Sequence, residues 1–269
     1  MTKFISTFFS FLFSASTAIL PRWKRLTCKA RLYNLLEPFD EITINGKKLK
    51  FFIPNRTCVY WVKNGPHSEP ATNNWINSLT STDVFVDIGA NIGLYSLMAG
   101  VQGVAKVYAI EANPFSFSVL TRNIIINELS DKVVALCMPI SEVSSILRFS
   151  LSGTHAGSIG NEIVEEKPKS EKISITTASF SLDGLLQVQG IFNITHLKID
   201  VDGIEKGILR GAKNLLSSKT LKYVLVEDVD GHATNKNDLD LFMERYDFVN
   251  SIIWGQDGSA NKIFMKNTN

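Results

Sequence analysis

Val84-Phe-Val-Asp-Ile-Gly-Ala-Asn-Ile-Gly-Leu-Tyr-Ser-Leu97 is the stretch that decides how this chain folds. An apolar strand runs into Asp87, glycines follow at Gly89 and Gly93, and an apolar helix begins at Leu94. In an open α/β sheet such a bend brings the backbone close to a ligand and turns the N-terminus of the next helix toward it. A second strand, Lys106-Val-Tyr-Ala-Ile-Glu111, also ends on an acid. A carboxylate at that point suits ribose hydroxyls, so the two strands read as the nucleoside-binding half of a doubly wound sheet.

The spacing narrows the ligand. Dinucleotide enzymes carry Gly-x-Gly-x-x-Gly, whose middle glycine admits a pyrophosphate. Here only Ala90-Asn91-Ile92 separates Gly89 from Gly93, and no lysine follows as in a phosphate-binding loop. The turn therefore suits an adenosyl ligand without phosphates. Asp87 agrees, since a carboxylate repels phosphate but attracts the sulfonium and ammonium charges of S-adenosylmethionine. Alone, Asp-x-Gly is also an ordinary cap and turn; Glu111 separates the two readings.

Outward from this turn, strands and helices alternate, which implies a mostly parallel sheet. Strands are expected at Val84–Asp87, Lys106–Ile110, Lys132–Met138, His196–Asp200 and Tyr223–Glu227, with a helix over Pro114–Asn127 and an antiparallel closing pair at Phe248–Ile253 and Lys262–Met265. A polar stretch, Gly153–Lys172, interrupts the pattern between two β-rich pieces and reads as an insertion or lid spanning about 146–178. Ahead of the sheet, Asn45-Gly46 between two short strands is a hairpin signal. Phe115, Phe117 and Leu120 read as helix core, Arg122 and Asn123 as a solvated helix face, and Trp61 and Trp75 either as packing or as a platform for a sugar ring.

A third segment, Leu197-Lys-Ile-Asp-Val-Asp-Gly-Ile-Glu205, ends a buried strand at Asp200 on the edge where ligands bind, and the next strand ends at Glu227-Asp228. Carboxylates gathered this closely repel one another unless they cap a helix, hold a cation or move protons. Asp200, Glu227 and Asp228 are thus candidates to hold a divalent ion such as Mg²⁺; the alternative is capping and local ion pairs. Proton removal from an acceptor asks for a base. Asp200, His232 beyond the acidic strand end and His155 in the insertion are the catalytic candidates, and the plainer alternative for either histidine is a solvent-facing loop position. His196, which precedes its strand, belongs to the opposite edge.

Asp87-Ile-Gly-Ala-Asn-Ile-Gly-Leu-Tyr95, Glu111-Ala-Asn-Pro114, Leu182-Asp183, and Leu197 to Glu205 continuing through Leu209-Arg-Gly-Ala212 together resemble the FkbM family of S-adenosylmethionine-dependent methyltransferases over about residues 69–266. The resemblance implies a class I methyltransferase fold: an α/β, Rossmann-like, mostly parallel seven-stranded sheet with helices on both faces and an antiparallel last strand. An N-terminal helix and β-hairpin extend it here. It also implies O-methylation, commonly of a sugar hydroxyl or a hydroxylated natural product. By the same resemblance Asp87, Gly89, Asn91 and Gly93 would wrap the methionine part of the cofactor, Glu111 the ribose, Ser141 would lie near the adenine, and Asp200 would face cofactor and acceptor. Asp202 stands where the family usually carries Glu. Another transferase on the same cofactor scaffold, or a binding module that kept the fold, are the competing readings.

Composition sets the remaining bounds. The 269 residues carry a net charge of only +2, which argues against a general nucleic-acid binder, and the partner expected is a small-molecule or glycan acceptor. The cysteines Cys28, Cys58 and Cys137 are scattered, as in a reducing, cytoplasmic compartment. Charge is uneven: residues 1–36 carry Lys3, Arg22, Lys24, Arg25, Lys29 and Arg31 and no acid, so the rest of the chain is net acidic. The uncharged run Phe4–Leu20, with its five phenylalanines, meets that basic collar. Three readings stay open: an anchor on the cytoplasmic face of a membrane through residues 1–31, a helix docked on the protein, and a signal peptide. The chain is thus expected to divide into residues 1–36, a hairpin and lead-in over 37–80, and a catalytic domain over 81–269.

Overall fold

The computed structural model describes residues 1–164, 173–228, 238–254 and 260–267. It separates into two units, Met1–Phe39 and Asp40–Asn269. The first unit holds two helices, α1 (Thr2–Thr17) and α2 (Arg22–Leu35), with Pro21 at the N-cap of the second. Among the described residues no helix is long and apolar enough to cross a membrane.

The hairpin β1 (Phe39–Ile44) and β2 (Lys47–Phe52) starts on the last residue of the first unit and belongs otherwise to the second. Asn45 and Gly46 both take positive φ at its turn, as a tight two-residue hairpin requires. Two helices follow, α3 (Arg56–Ser68) and α4 (Pro70–Asn77). The alternating part then runs β3 (Val84–Ile88), α5 (Leu94–Gln102), β4 (Lys106–Ile110), α6 (Pro114–Ile126) and β5 (Val133–Leu136). The insertion supplies β6 (Ile140–Ser141), β7 (Ser145–Leu151), β8 (Glu162–Val164) and β9 (Ile173–Ser181), a small sheet ordered β6-β9-β7-β8. The main path resumes with α7 (Leu182–Gln189), β10 (His196–Ile199), α8 (Glu205–Arg210), α9 (Lys213–Ser217), β11 (Tyr223–Glu227), α10 (Asp238–Glu244), β12 (Phe248–Asn250) and β13 (Asn261–Lys266).

The main sheet has seven strands in the order β12-β13-β11-β10-β3-β4-β5. Five are parallel, and β13 pairs antiparallel with both β11 and β12. Every residue of β10 is buried, and β3 exposes little, as expected of strands covered by helices on both faces. Strand order reverses between β3 and β10, because β3 leads outward to β4 and β5 while β10 returns to its other side. At such a switch point the loops leaving the carboxyl ends diverge and open a crevice. Asp87, Glu111, Asp200 and Glu227 all sit at that edge.

Several family-like residues act within the scaffold. Asp183 accepts from the backbone N–H groups of Asn214 and Leu215 at 2.8 and 3.0 Å, capping α9. Asn123 differs from the solvated position expected of it. It is fully buried, accepts from the Phe52 N–H at 2.8 Å and donates to the Ile92 carbonyl at 2.8 Å. It thereby ties the hairpin to the glycine turn. Arg122 lies 3.9 Å over the Phe52 ring. Trp75 is core, packed edge-on to Phe85, whereas Phe115 is exposed.

Candidate active site

The crevice holds a cavity of about 230 Å³, bounded by the glycine turn, the ends of β4, β10 and β11, and the inserted segment. Gly89 (φ +84°) and Gly93 (φ +94°) shape its floor. A Cβ on Gly89 would collide with the Asp200 carbonyl, and one on Gly93 would come within 2.6 Å of Leu120 and 2.7 Å of Leu97. Glycine at 89 therefore lets the turn pass close to the end of β10, and glycine at 93 lets it pack against α5 and α6. Asn91 also adopts positive φ (51°) and lines the cavity, and its side-chain oxygen is buried with no hydrogen-bond partner.

Glu111 holds this turn. Its carboxylate accepts from the Asn91 N–H at 2.7 Å and from the Asn113 N–H at 2.6 Å. Burial raises its pKa to about 7, against the opposing effect of those two amides. Each carboxylate oxygen retains acceptor capacity for a ribose hydroxyl. An unpartnered Asn91 oxygen, two glycines that a Cβ would close, and a buried acid at the end of β4 fit an adenosyl ligand.

Asp87 does not line the cavity. It is buried behind the turn, accepts from Ser96 Oγ at 2.6 Å, and faces Lys198, its neighbour in register on β10. Lys198 is a cavity-lining residue that sequence reasoning missed. It is 1 % exposed, lines the cavity, donates to Asp200 Oδ2 at 2.7 Å and lies 3.6 Å from Asp87 Oδ1. The Tyr95 ring lies 5.0 Å from the same ammonium. Burial disfavours the charged lysine, but Asp200, Asp87 and Glu69 outweigh it and raise its pKa. The available signal was a lysine inside an otherwise apolar strand that ends on an acid.

Glu227 stands beside Asp200 across the strand ends. Burial and the neighbouring charges of Asp200 and Glu205 raise its pKa to about 7, and a hydrogen bond between the two carboxyls adds to this. A carboxyl of that pKa can accept a proton near neutral pH.

The inserted segment roofs the cavity. Asp202 accepts from the Asn161 N–H at 2.8 Å, and Trp61 Nε1 donates to the Gly157 carbonyl at 2.8 Å. Asn113 donates to Ser158 Oγ at 3.0 Å. Trp61, Ile159 and Ile163 contribute apolar walls.

Besides Asp87 and Asn123, three further sequence expectations are corrected. His155 is exposed and outside the cavity; no histidine among the described residues lines it, and His232 lies outside the described residues. Ser141 does not line the cavity either, because its hydroxyl donates to the Val143 carbonyl at 2.9 Å and lies 3.0 Å from Ser179 Oγ within the inserted sheet. Met138, Pro139 and Ile140 form that wall instead. The third correction concerns the ion. Among the described residues no group of three or more His, Cys, Asp or Glu side chains could hold a metal. Asp228 pairs with Lys262 at 3.0 Å and Asp200 with Lys198, so two of the three carboxylates expected to hold Mg²⁺ are already engaged by ammonium groups. His196 sits at the opposite sheet edge as expected, packed on Trp75 and Tyr223, and burial lowers its pKa to about 4 against the pull of Asp83.

A switch-point crevice floored by such a turn, with a ribose-suited acid on the adjacent strand, defines a class I methyltransferase that uses S-adenosylmethionine. The family model for the methyltransferase FkbM domain matches residues 87–249, and the chain belongs to that family. It is similar to the hexuronic acid methyltransferase AglP of Haloferax volcanii, at 26% identity over 192 residues, covering 68% of this chain and 72% of that protein. It is also similar to the methyltransferase sdnD of Sordaria araneosa, at 30% identity over 163 residues, covering 51% of this chain and 62% of that one. A shorter match, 43% identical over 109 residues, links it to a tRNA(Phe) (4-demethylwyosine(37)-C(7)) aminocarboxypropyltransferase of Pyrococcus horikoshii and covers 39% of this chain and 37% of that enzyme. Its low net charge therefore does not by itself set it apart from nucleic-acid-modifying enzymes.

Proposed function

We propose that this protein transfers a methyl group from S-adenosylmethionine to a hydroxyl of a sugar, in a glycan or a small hydroxylated metabolite. The observation that carries this reading is the Asp200–Glu227 carboxyl pair facing the cavity beside the glycine turn. S-adenosylmethionine supplies an electrophilic methyl group on its sulfonium. The protein's own share is alignment and proton removal. Gly89, Gly93 and Asn91 set the path of the backbone along the cofactor, and Glu111 receives the ribose hydroxyls. Lys198 pairs with Asp200, and burial together with the neighbouring Asp200 holds the Glu227 carboxyl at a pKa where it takes the proton from the acceptor hydroxyl as the new C–O bond forms and the bond from the methyl carbon to sulfur breaks. The roof covers the cavity, and the faces of Trp61 and Ile159 suit the apolar side of a sugar ring.

Charge narrows the acceptor. Glu69, Glu111, Asp200, Asp202 and Glu227 line the cavity, and Lys198 is the sole cation among its described residues, already engaged by two carboxylates. Such a cavity favours a neutral or amino-bearing sugar over a uronate, whose carboxylate would meet these acids with no protein cation among the described lining residues free to pair with it. The relationship to AglP supports a sugar acceptor. The test is methyl incorporation from labelled S-adenosylmethionine into neutral, aminated and uronate glycosides, with calorimetry of S-adenosylhomocysteine binding beside it. Transfer to the first two classes is expected. Cofactor binding with methylation of nitrogen or carbon only would refute the hydroxyl reading, and preference for uronates would refute the charge argument.

A further inference from the structure

The first unit has a distinctive surface of its own. In α1, Phe4, Phe8 and Phe11 recur at helical spacing with Ile5 and Leu12 beside them, and all five are exposed. Phe9 widens the same face and is also exposed. The other face carries Ser6, Thr7, Ser10, Ser14 and Thr17. Most of its hydroxyls are satisfied inside the helix: Ser6 and Thr7 donate to the Lys3 carbonyl, Ser14 to Ser10 and Thr17 to Phe13. A helix with its hydroxyls internally bonded enters an apolar medium at reduced cost.

Next in the chain comes charge of one sign. Arg22, Lys24, Arg25, Lys29 and Arg31 lie on α2 without an acid among residues 1–36, and Trp23 is exposed beside Lys24, whose ammonium lies 5.4 Å from its ring. Apolar residues followed by basic residues and an interfacial tryptophan match the profile of a bilayer whose surface is anionic. A nucleic acid would use α2 and leave the phenylalanine face unused. At 16 residues α1 is about 24 Å long by helical rise, short of a ~30 Å hydrocarbon core, a length that suits lying in the interface and not spanning the core.

We infer that residues 2–35 form an interfacial anchor that binds the chain to membranes rich in anionic phospholipid, α1 through its phenylalanine face and α2 through its basic groups. The two contributions are separable, as expected where stable attachment needs both an apolar insertion and a polybasic patch.

The experiment is sedimentation of the full chain with phosphatidylcholine vesicles, with and without phosphatidylglycerol. Binding is expected only with the anionic lipid, and raised salt should weaken it. The combined Arg22→Gln, Lys24→Gln, Arg25→Gln variant should bind on the order of 100-fold more weakly. The Phe4→Ser, Phe8→Ser, Phe11→Ser variant should stay in the supernatant while still binding S-adenosylhomocysteine, which shows that the second unit is folded. Sedimentation with neither vesicle overturns the anchor, as does undiminished binding by the phenylalanine variant. A dimer lost in that variant without vesicle binding assigns the face to a second copy and also overturns it.

Discussion

Replacing Lys198 by methionine isolates the charge arrangement on which the site rests. Methionine approximates the lysine stem, so the main loss is the ammonium, placed 2.7 Å from Asp200 Oδ2 and 3.6 Å from Asp87 Oδ1. The side chain of Asp200 is 30% exposed and can turn to water; that of Asp87 is 1% exposed and cannot. Removing one partner of a buried pair costs roughly 3–5 kcal/mol, a large share of the ~5–15 kcal/mol that holds a domain folded. A melting temperature lower by roughly 6–20 °C follows. The pH dependence has a definite sign. Burial already raises the Asp87 pKa, and the Lys198 charge is what opposes it. Without that charge the native pKa rises further above the unfolded value, so stability falls as pH rises between the two. The loss relative to the parent protein is then greatest above the native pKa and shrinks as pH falls and Asp87 protonates. Urea unfolding at about pH 7 and about pH 5 measures it. The double variant Lys198→Met, Asp87→Asn should recover much of the loss. A destabilisation under about 1 kcal/mol, or one that neither pH nor Asp87→Asn relieves, would show that Lys198 does not keep Asp87 ionised.

Gly89→Ala drives a methyl group into the Asp200 carbonyl at a backbone angle that L-residues avoid; S-adenosylhomocysteine affinity should fall by roughly 100-fold in calorimetry, and an unchanged Kd would contradict the floor described above. Turnover should rise with pH through about 7 as Glu227 loses its proton, and Glu227→Gln should abolish that rise in kcat. Glu111 loses its proton in the same range, so a rise in cofactor affinity with pH should persist in Glu227→Gln and vanish in Glu111→Gln. Asn123→Ala removes the side chain that bonds both the Phe52 N–H and the Ile92 carbonyl and should cost about 2–5 kcal/mol in denaturant unfolding; a near-neutral effect would mean that the hairpin is not held through this residue.

Legibility followed the kind of signal. Periodicity and turn chemistry exposed the strands that end at Asp87, Glu111, Asp200 and Glu227, since each is a short apolar run with an acid at its end. Boundaries moved by a residue or two: β5 stops at Leu136, short of the Met138 expected. Asn123 and Arg122 were misread because a polar residue on a helix looks solvated until the element opposite it is known, and here that element is a hairpin more than 70 residues earlier in the chain. Ser141 and His155 failed for the reverse reason. Both lie near functional segments in sequence, but the inserted sheet turns one into its own hydrogen bonds and leaves the other on the surface.

By itself the sequence determined the cofactor class, because glycine spacing and a strand-ending acid are local features tied to backbone geometry within a few residues. It also determined the charge asymmetry of the N-terminal segment, which depends on composition alone. The tertiary structure decided which acids do what. Only strand order brings Lys198 between Asp87 and Asp200, takes Asp228 to Lys262 and sets Glu227 against Asp200. Electrostatic interactions depend on distance and burial, and neither is written in the spacing of residues along the chain.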